Sequence, residues 1–126
     1  MELPVALVID LDESFERMVP ALQDAGFQVV HVPESTQEST QEVARALARS
    51  PVVIIVGEGM VSIDGVDLLP LLRSLTDCPI VAIGIEEEVA LVKAMLEGAD
   101  VCLPRPLNVP ILMAHIRALL RRYEAD

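Results

Sequence analysis

The chain has 126 residues, enough for one domain that buries its own core without disulfides or metals. Twenty Asp plus Glu against nine Lys plus Arg leave a net charge of -11, which repels nucleic-acid phosphate and anionic membrane alike and excludes direct DNA contact as an expected function. No apolar run reaches the roughly 20 residues that span a bilayer, and acidic Glu2 and Pro4 replace a basic signal flank, so a soluble cytoplasmic protein without membrane contact is expected.

At 52% apolar and 2% aromatic, the interior must be built from Val, Ile, Leu, Ala and Met, which suits parallel strands covered by helices. Short aliphatic runs alternate with helical patterns five times, the signal for repeated βα units. The first predicted strand is Val5–Ile9. A helix over about 14–25 follows, with Phe15, Met18, Val19 and Leu22 on one face and Gly26 closing it. The second strand spans Phe27–Val32. The octet ESTQESTQ, residues 34–41, is an immediate four-residue duplication; one copy is close to a helical turn, so it lengthens the second helix or its leading loop without rotating the face of Val43 and Leu47.

That helix is expected to end near Ser50, before a third strand over Val52–Val56. The third helix is expected to start after Asp64 and end near Leu75, with Pro20 and Pro70 inside the first and third helices. The fourth strand is Ile80–Ile83, and its helix opens with Glu86, Glu87 and Glu88 and stops at Gly98. The fifth strand, Val101–Leu103, leads through LPRP to a last helix capped by Asn108, with Pro110 in its first turn and basic Arg121 and Arg122 at its end.

Cys78 and Cys102 have neither CxxC nor His-linked spacing, so buried free thiols are expected. About three residues out of register, they would sit roughly 10 Å apart, beyond the ~7 Å limit for a disulfide. His31 and His115 are isolated, and both read as surface or packed side chains.

VIDLDES after the first strand, an apolar run closing on Asp64-Gly65, EGAD at 97–100, LPRP at 103–106 and ALLRR at 118–122 together resemble the receiver domain of bacterial response regulators, over essentially the whole chain. The resemblance implies a flavodoxin-like α/β fold, a doubly wound (βα)5 parallel sheet in the order 2-1-3-4-5, with its site at the carboxyl ends of the strands. It implies a receiver-like domain over residues 1–122 and a tail or linker start over 123–126.

In that family an acidic pair after the first strand holds magnesium, an Asp ending the third strand takes the phosphoryl group, a Ser or Thr ends the fourth, and a Lys precedes a cis proline. The acidic pair matches Asp10 and Leu11, so one ligand is apolar. Counting forward from Pro51 and backward from Gly65 places the phosphoacceptor at Gly57. The hydroxyl position matches Gly84, the Lys position Arg105, and the family's aromatic switch position Cys102. Acyl-phosphate formation needs an oxygen nucleophile and a metal to offset phosphate charge, so a degenerate receiver is expected, with no catalytic residue and no magnesium cofactor.

The alternative is a rearranged site. Asp10, Asp12 and Glu58, with Glu13, would cluster at the sheet edge as a weak cation cage, a ligand sensor or a displaced phosphoacceptor. The simpler and preferred reading is that Asp10 or Asp12 caps the first helix and Glu13 complements its dipole. Glu58 reads either as an ion-pair partner of Arg105 or as a solvated loop carboxylate.

ALLRR is similar to receivers of the winged-helix transcription-factor group, which pair through the fourth helix, fifth strand and fifth helix. The resemblance implies a homodimer in which Lys93, Glu97, Asp100, Arg117 and Arg122 make contacts twice across a two-fold axis, with an attached or separate effector. Pro110 and Ile111 stand where that group carries an acid.

Overall fold

A computed structural model of the chain describes residues 3–9, 13–32, 39–57, 62–63 and 66–125. In chain order the elements are β1 (Val5–Ile9), α1 (Glu13–Asp24), β2 (Gln28–Val32), α2 (Ser39–Leu47), β3 (Val53–Gly57), β4 (Ser62–Ile63), β5 (Val66–Asp67), α3 (Leu68–Leu75), β6 (Ile80–Ile83), α4 (Glu88–Glu97), β7 (Val101–Leu103) and α5 (Val109–Ala125). Five strands form a parallel sheet in the order β2-β1-β3-β6-β7, the expected 2-1-3-4-5 winding.

The apolar runs become strands because both of their faces are covered. Along β1, Ala6 and Val8 point to one side and Leu7 and Ile9 to the other, and all four are fully buried. On the first side Ile55 and Ile83 pack with Met18 and Leu22 of α1 and with Leu112, Ile116 and Leu119 of α5. On the second, Ile54, Val56 and Ile80 pack with Val43 and Ala46 of α2 and Leu68 and Leu72 of α3. A smaller cluster, Ala82, Ala94 and Ala99, seats α4. Among the described residues no helix is long and apolar enough to cross a membrane.

Helix ends follow their sequence signals. Gly26 at φ 96° ends α1 while Phe27 N–H reaches back to the Leu22 carbonyl at 3.0 Å, and Asn108 Oδ1 accepts the Ile111 N–H at 3.0 Å as the cap of α5. Other boundaries moved. Regular α2 stops at Leu47, and turn hydrogen bonds carry the chain on to Ser50, at φ 56°. Its first residues, Ser39 to Gln41, are the end of the ESTQ duplication, whose remainder lies outside the described residues. α4 begins only at Glu88, so Glu86 and Glu87 precede it, and α5 runs three residues past Arg122.

The third helix also starts later than its sequence suggested, at Leu68, because an antiparallel pair of two-residue strands, β4 and β5, comes first. Pro70 is thereby corrected to the first turn of α3, where its missing N–H is one that the helix could not use. Pro20 does lie inside α1. Phe15 stacks on His31 with ring centroids 3.9 Å apart and planes 19° from parallel, so His31 is a packed surface ring.

Cys78 and Cys102 are both free and half-buried. Cys102 is in register with Ala82, four positions beyond Cys78, and the two pack in different clusters. Burial pushes both thiols above the ordinary cysteine range; at Cys78 the Thr76 hydroxyl and the Arg73 charge oppose it in part.

Raised thiol pKa values mean less thiolate, so both cysteines are expected to alkylate more slowly with iodoacetamide at pH 8 than an unstructured peptide thiol, the rate climbing at higher pH. Equal rates would contradict the burial. The stability that the neutral thiols contribute is expected to be complete below the unfolded thiol pKa of about 8.5 and to be lost as pH rises through the raised folded values.

Gly98, at φ 139°, closes α4, and a Cβ added there would lie 3.1 Å from Arg73 Cβ and 3.2 Å from Nε. Gly98→Ala is therefore expected to cost about 1–3 kcal/mol, read as a lower urea midpoint with an unchanged slope.

Candidate functional site

The carboxyl ends of β3, β6 and β7 lie side by side, since Gly57 pairs with Ile83 and Ile83 with Leu103. The structure thus brings Gly57, Gly84 and the segment through Arg105 to one edge of the sheet, as the sequence predicted. Asp10, Leu11, Asp12 and Glu58 lie outside the described residues.

Gly57 is the last residue of β3 and is buried; it offers the edge main chain only. Gly84 stands at φ 93°, a left-handed conformation that side chains rarely adopt, and its N–H donates to the Leu103 carbonyl at 2.8 Å. Its hydrogen bond ties the end of β6 to the end of β7. The position that the resemblance matches to a hydroxyl thus has a backbone that favours glycine.

Arg105 precedes Pro106 through a cis peptide bond, as the Lys–Pro pattern implied. Its main-chain N–H donates to Glu86 Oε1 at 3.1 Å, which draws the segment before α4 toward the β7–α5 connection. From α1, Arg17 Nη2 reaches the Leu107 carbonyl at 2.7 Å and anchors the other side of that connection. Cys102 lies within β7 against Ala82, Ala94 and Ala99, a small side chain where the family has a ring.

Hard cations take several oxygen ligands in defined geometry. Among the described residues at this edge, Gly57 and Gly84 supply no side-chain oxygen, and Glu86 already accepts the Arg105 amide. Among the described residues no group of three His, Cys, Asp or Glu is placed to hold a metal ion.

Sequence reasoning missed Arg73. From the last turn of α3, its Nη2 donates to the carbonyls of Cys78 at 3.1 Å and Gly98 at 2.9 Å and meets Asp100 Oδ2 at 3.4 Å. Asp100 Oδ2 also accepts the Ile80 N–H at 2.8 Å. The Asp100 of the EGAD stretch is thus held within the protomer, locking α3, β6, α4 and β7 at the amino edge. Two of Arg73's partners are main-chain carbonyls, which carry no sequence signature.

Of the other charges expected at an interface, Lys93 and Glu97 pair along α4 at 3.6 Å, and Arg117 and Arg122 are exposed on α5. Between them α4 shows something the charges did not suggest. Of its ten residues only Ala94 is buried, while Val89 (73% exposed), Val92 (50%) and Leu96 (84%) follow one another at three- and four-residue spacing. That spacing makes one outward apolar stripe. Ile111 on α5 is also exposed.

No family model matches the chain. A CpxR homolog from Haemophilus influenzae, a transcriptional regulatory protein, is 30% identical over 118 residues, which cover 92% of this chain and 50% of that protein. Response regulator MprA from a Mycobacterium species is 31% identical over 123 residues, covering 95% of this chain and 52% of the relative. The chain spans about half the length of these relatives. The crystal structure of a two-component response regulator from Clostridium difficile matches with a TM-score of 0.78 and 26% identity, over 95% of this chain and 98% of that one. A sheet wound in this order, aligned along nearly its whole length with response regulators, makes the chain a member of the receiver-domain family of two-component signalling.

Proposed function

We propose that this receiver domain takes no phosphoryl group at the family's usual position and transmits its signal through protein contact. One observation carries the reading: the strand that ends in the family's phosphoacceptor ends here in buried Gly57, which has no oxygen to attack phosphorus. Gly84 and Arg105 alter two further positions of the same constellation. The domain is not an enzyme in this reading, and it works in the cytoplasm of a bacterium.

The contact surface is the face formed by α4, β7 and α5, in a homodimer. Support for it comes from the stripe of Val89, Val92 and Leu96 on α4, which also carries Lys93, and from the exposure of Arg117 and Arg122 on α5. A two-fold axis through this face would bury each apolar residue twice. The receiver unit extends through α5, which ends at Ala125, and an effector, attached or separate, makes any nucleic-acid contact in place of this acidic domain.

Intact mass after incubation with magnesium and acetyl phosphate is expected to be unchanged, while a working receiver beside it gains one phosphoryl group. A phosphoryl adduct mapped to Glu58, Asp10 or Asp12 would overturn the reading and favour a displaced carboxylate.

Sedimentation is expected to show mass rising with concentration in the absence of metal. Leu96→Glu should weaken the dimer at least tenfold, about 1.4 kcal/mol, with unchanged circular dichroism because Leu96 is exposed. A monomer at all concentrations, or a variant dimer as tight as the parent, would contradict this interface.

A further inference from the structure

Beside the degenerate edge lies a cavity of about 240 Å³, roofed by α4 and floored by the ends of β3 and β6. Its floor is Val56 and Gly57 of β3 and Ala82 of β6, Leu69 of α3 lines it beside them, and Ala90 and Ala94 of α4 form its roof. Small residues make the room: two alanines on the helix face a third on the strand, so α4 rests on the sheet over short side chains. A cavity of about 150 Å³ already holds a benzene ring. This one has space for a ring with a short tail.

Charge decides which tail. The mouth carries Glu86, Glu87, Glu97 and Lys93. Lys93 is already paired with Glu97 at 3.6 Å, which leaves the carboxylates of Glu86 and Glu87 to set the local potential. Glu86 Oε1 takes the Arg105 amide, and the Glu87 side chain makes no capping bond to α4. A cleft with carboxylates over low-dielectric walls concentrates cations and rejects anions, and the chain's charge of -11 acts in the same direction.

We propose that the cavity between α4 and the carboxyl ends of β3 and β6 binds a small apolar organic cation, its hydrocarbon body on Val56, Leu69 and Ala82 and its ammonium at Glu86 and Glu87. The proposal requires neither phosphoryl chemistry nor dimerisation, so it stands or falls separately from the contact reading.

The test is an NMR titration of the ¹⁵N-labelled chain with 2-phenylethylammonium, alongside neutral 2-phenylethanol and anionic 3-phenylpropionate. Saturable shifts are expected for amides of residues 82–97, with the cation binding at least tenfold more tightly than the anion. Ala90→Phe should abolish the response by filling the cavity, and Glu87→Gln should weaken cation binding at least threefold while leaving the alcohol unaffected. Ala90 and Glu87 are both exposed, and the Glu87 variant carries the test if the bulkier one does not fold. Equal responses to the three probes, non-saturating shifts across the acidic surface, or indifference to both substitutions would overturn the proposal.

Discussion

A parallel sheet covered on both faces confines chemistry to its edges, and every other feature of this domain follows from that constraint. β1, β3 and β6 alternate their side chains between two apolar layers, and their interior positions are closed to water. Polar groups on such strands would be buried without partners, at a cost of several kcal/mol each. Only the residue that ends a strand is free to vary chemically. Gly57 ends β3 and Gly84 follows the end of β6, so the proposed loss of reactive side chains there leaves the receiver core untouched.

The two ends of the sheet are tied in different ways. At the amino edge Arg73 and Asp100 form a dense lock in which one guanidinium serves three segments and one carboxylate oxygen serves a strand amide. Among the described residues at the carboxyl edge, the Gly84 N–H is tied to Leu103, the Arg105 amide to the Glu86 carboxylate and the Arg17 guanidinium to the Leu107 carbonyl. α4 spans both regions: Gly98 at its C-terminal end is held by Arg73, whereas Ala90, Lys93, Ala94 and Glu97 along its length line the cavity.

Much of this was legible in sequence, for identifiable reasons. β1, β6 and β7 have the predicted bounds because uninterrupted aliphatic runs flanked by turn residues have few other solutions. The winding order came from the family resemblance. The β4–β5 pair was not legible as strands, since two residues have no period, although Asp64-Gly65 between Ile63 and Val66 is a hairpin signal and was read as a helix start. Nor was the stripe on α4: apolar residues on a helix read as core, and only the short edge strand β7, which leaves α4 half-covered, shows that Val89, Val92 and Leu96 face outward. Charged residues drew attention to the same face for a weaker reason, since exposed ion pairs contribute only about 0–1 kcal/mol each.

The two glycines at the carboxyl edge differ physically. Gly57 belongs to a strand, an extended backbone that any residue adopts, so the absence of a carboxylate there is a choice of side chain. Gly84 stands at φ 93° with its N–H committed to Leu103, so the absence of a hydroxyl there is built into the main chain. Restoring an oxygen nucleophile at the first position would leave the second unable to follow without a change in how β6 turns toward α4. The backbone at Gly84 therefore constrains this edge more firmly than the backbone at Gly57, through the same hydrogen bond that joins β6 to β7.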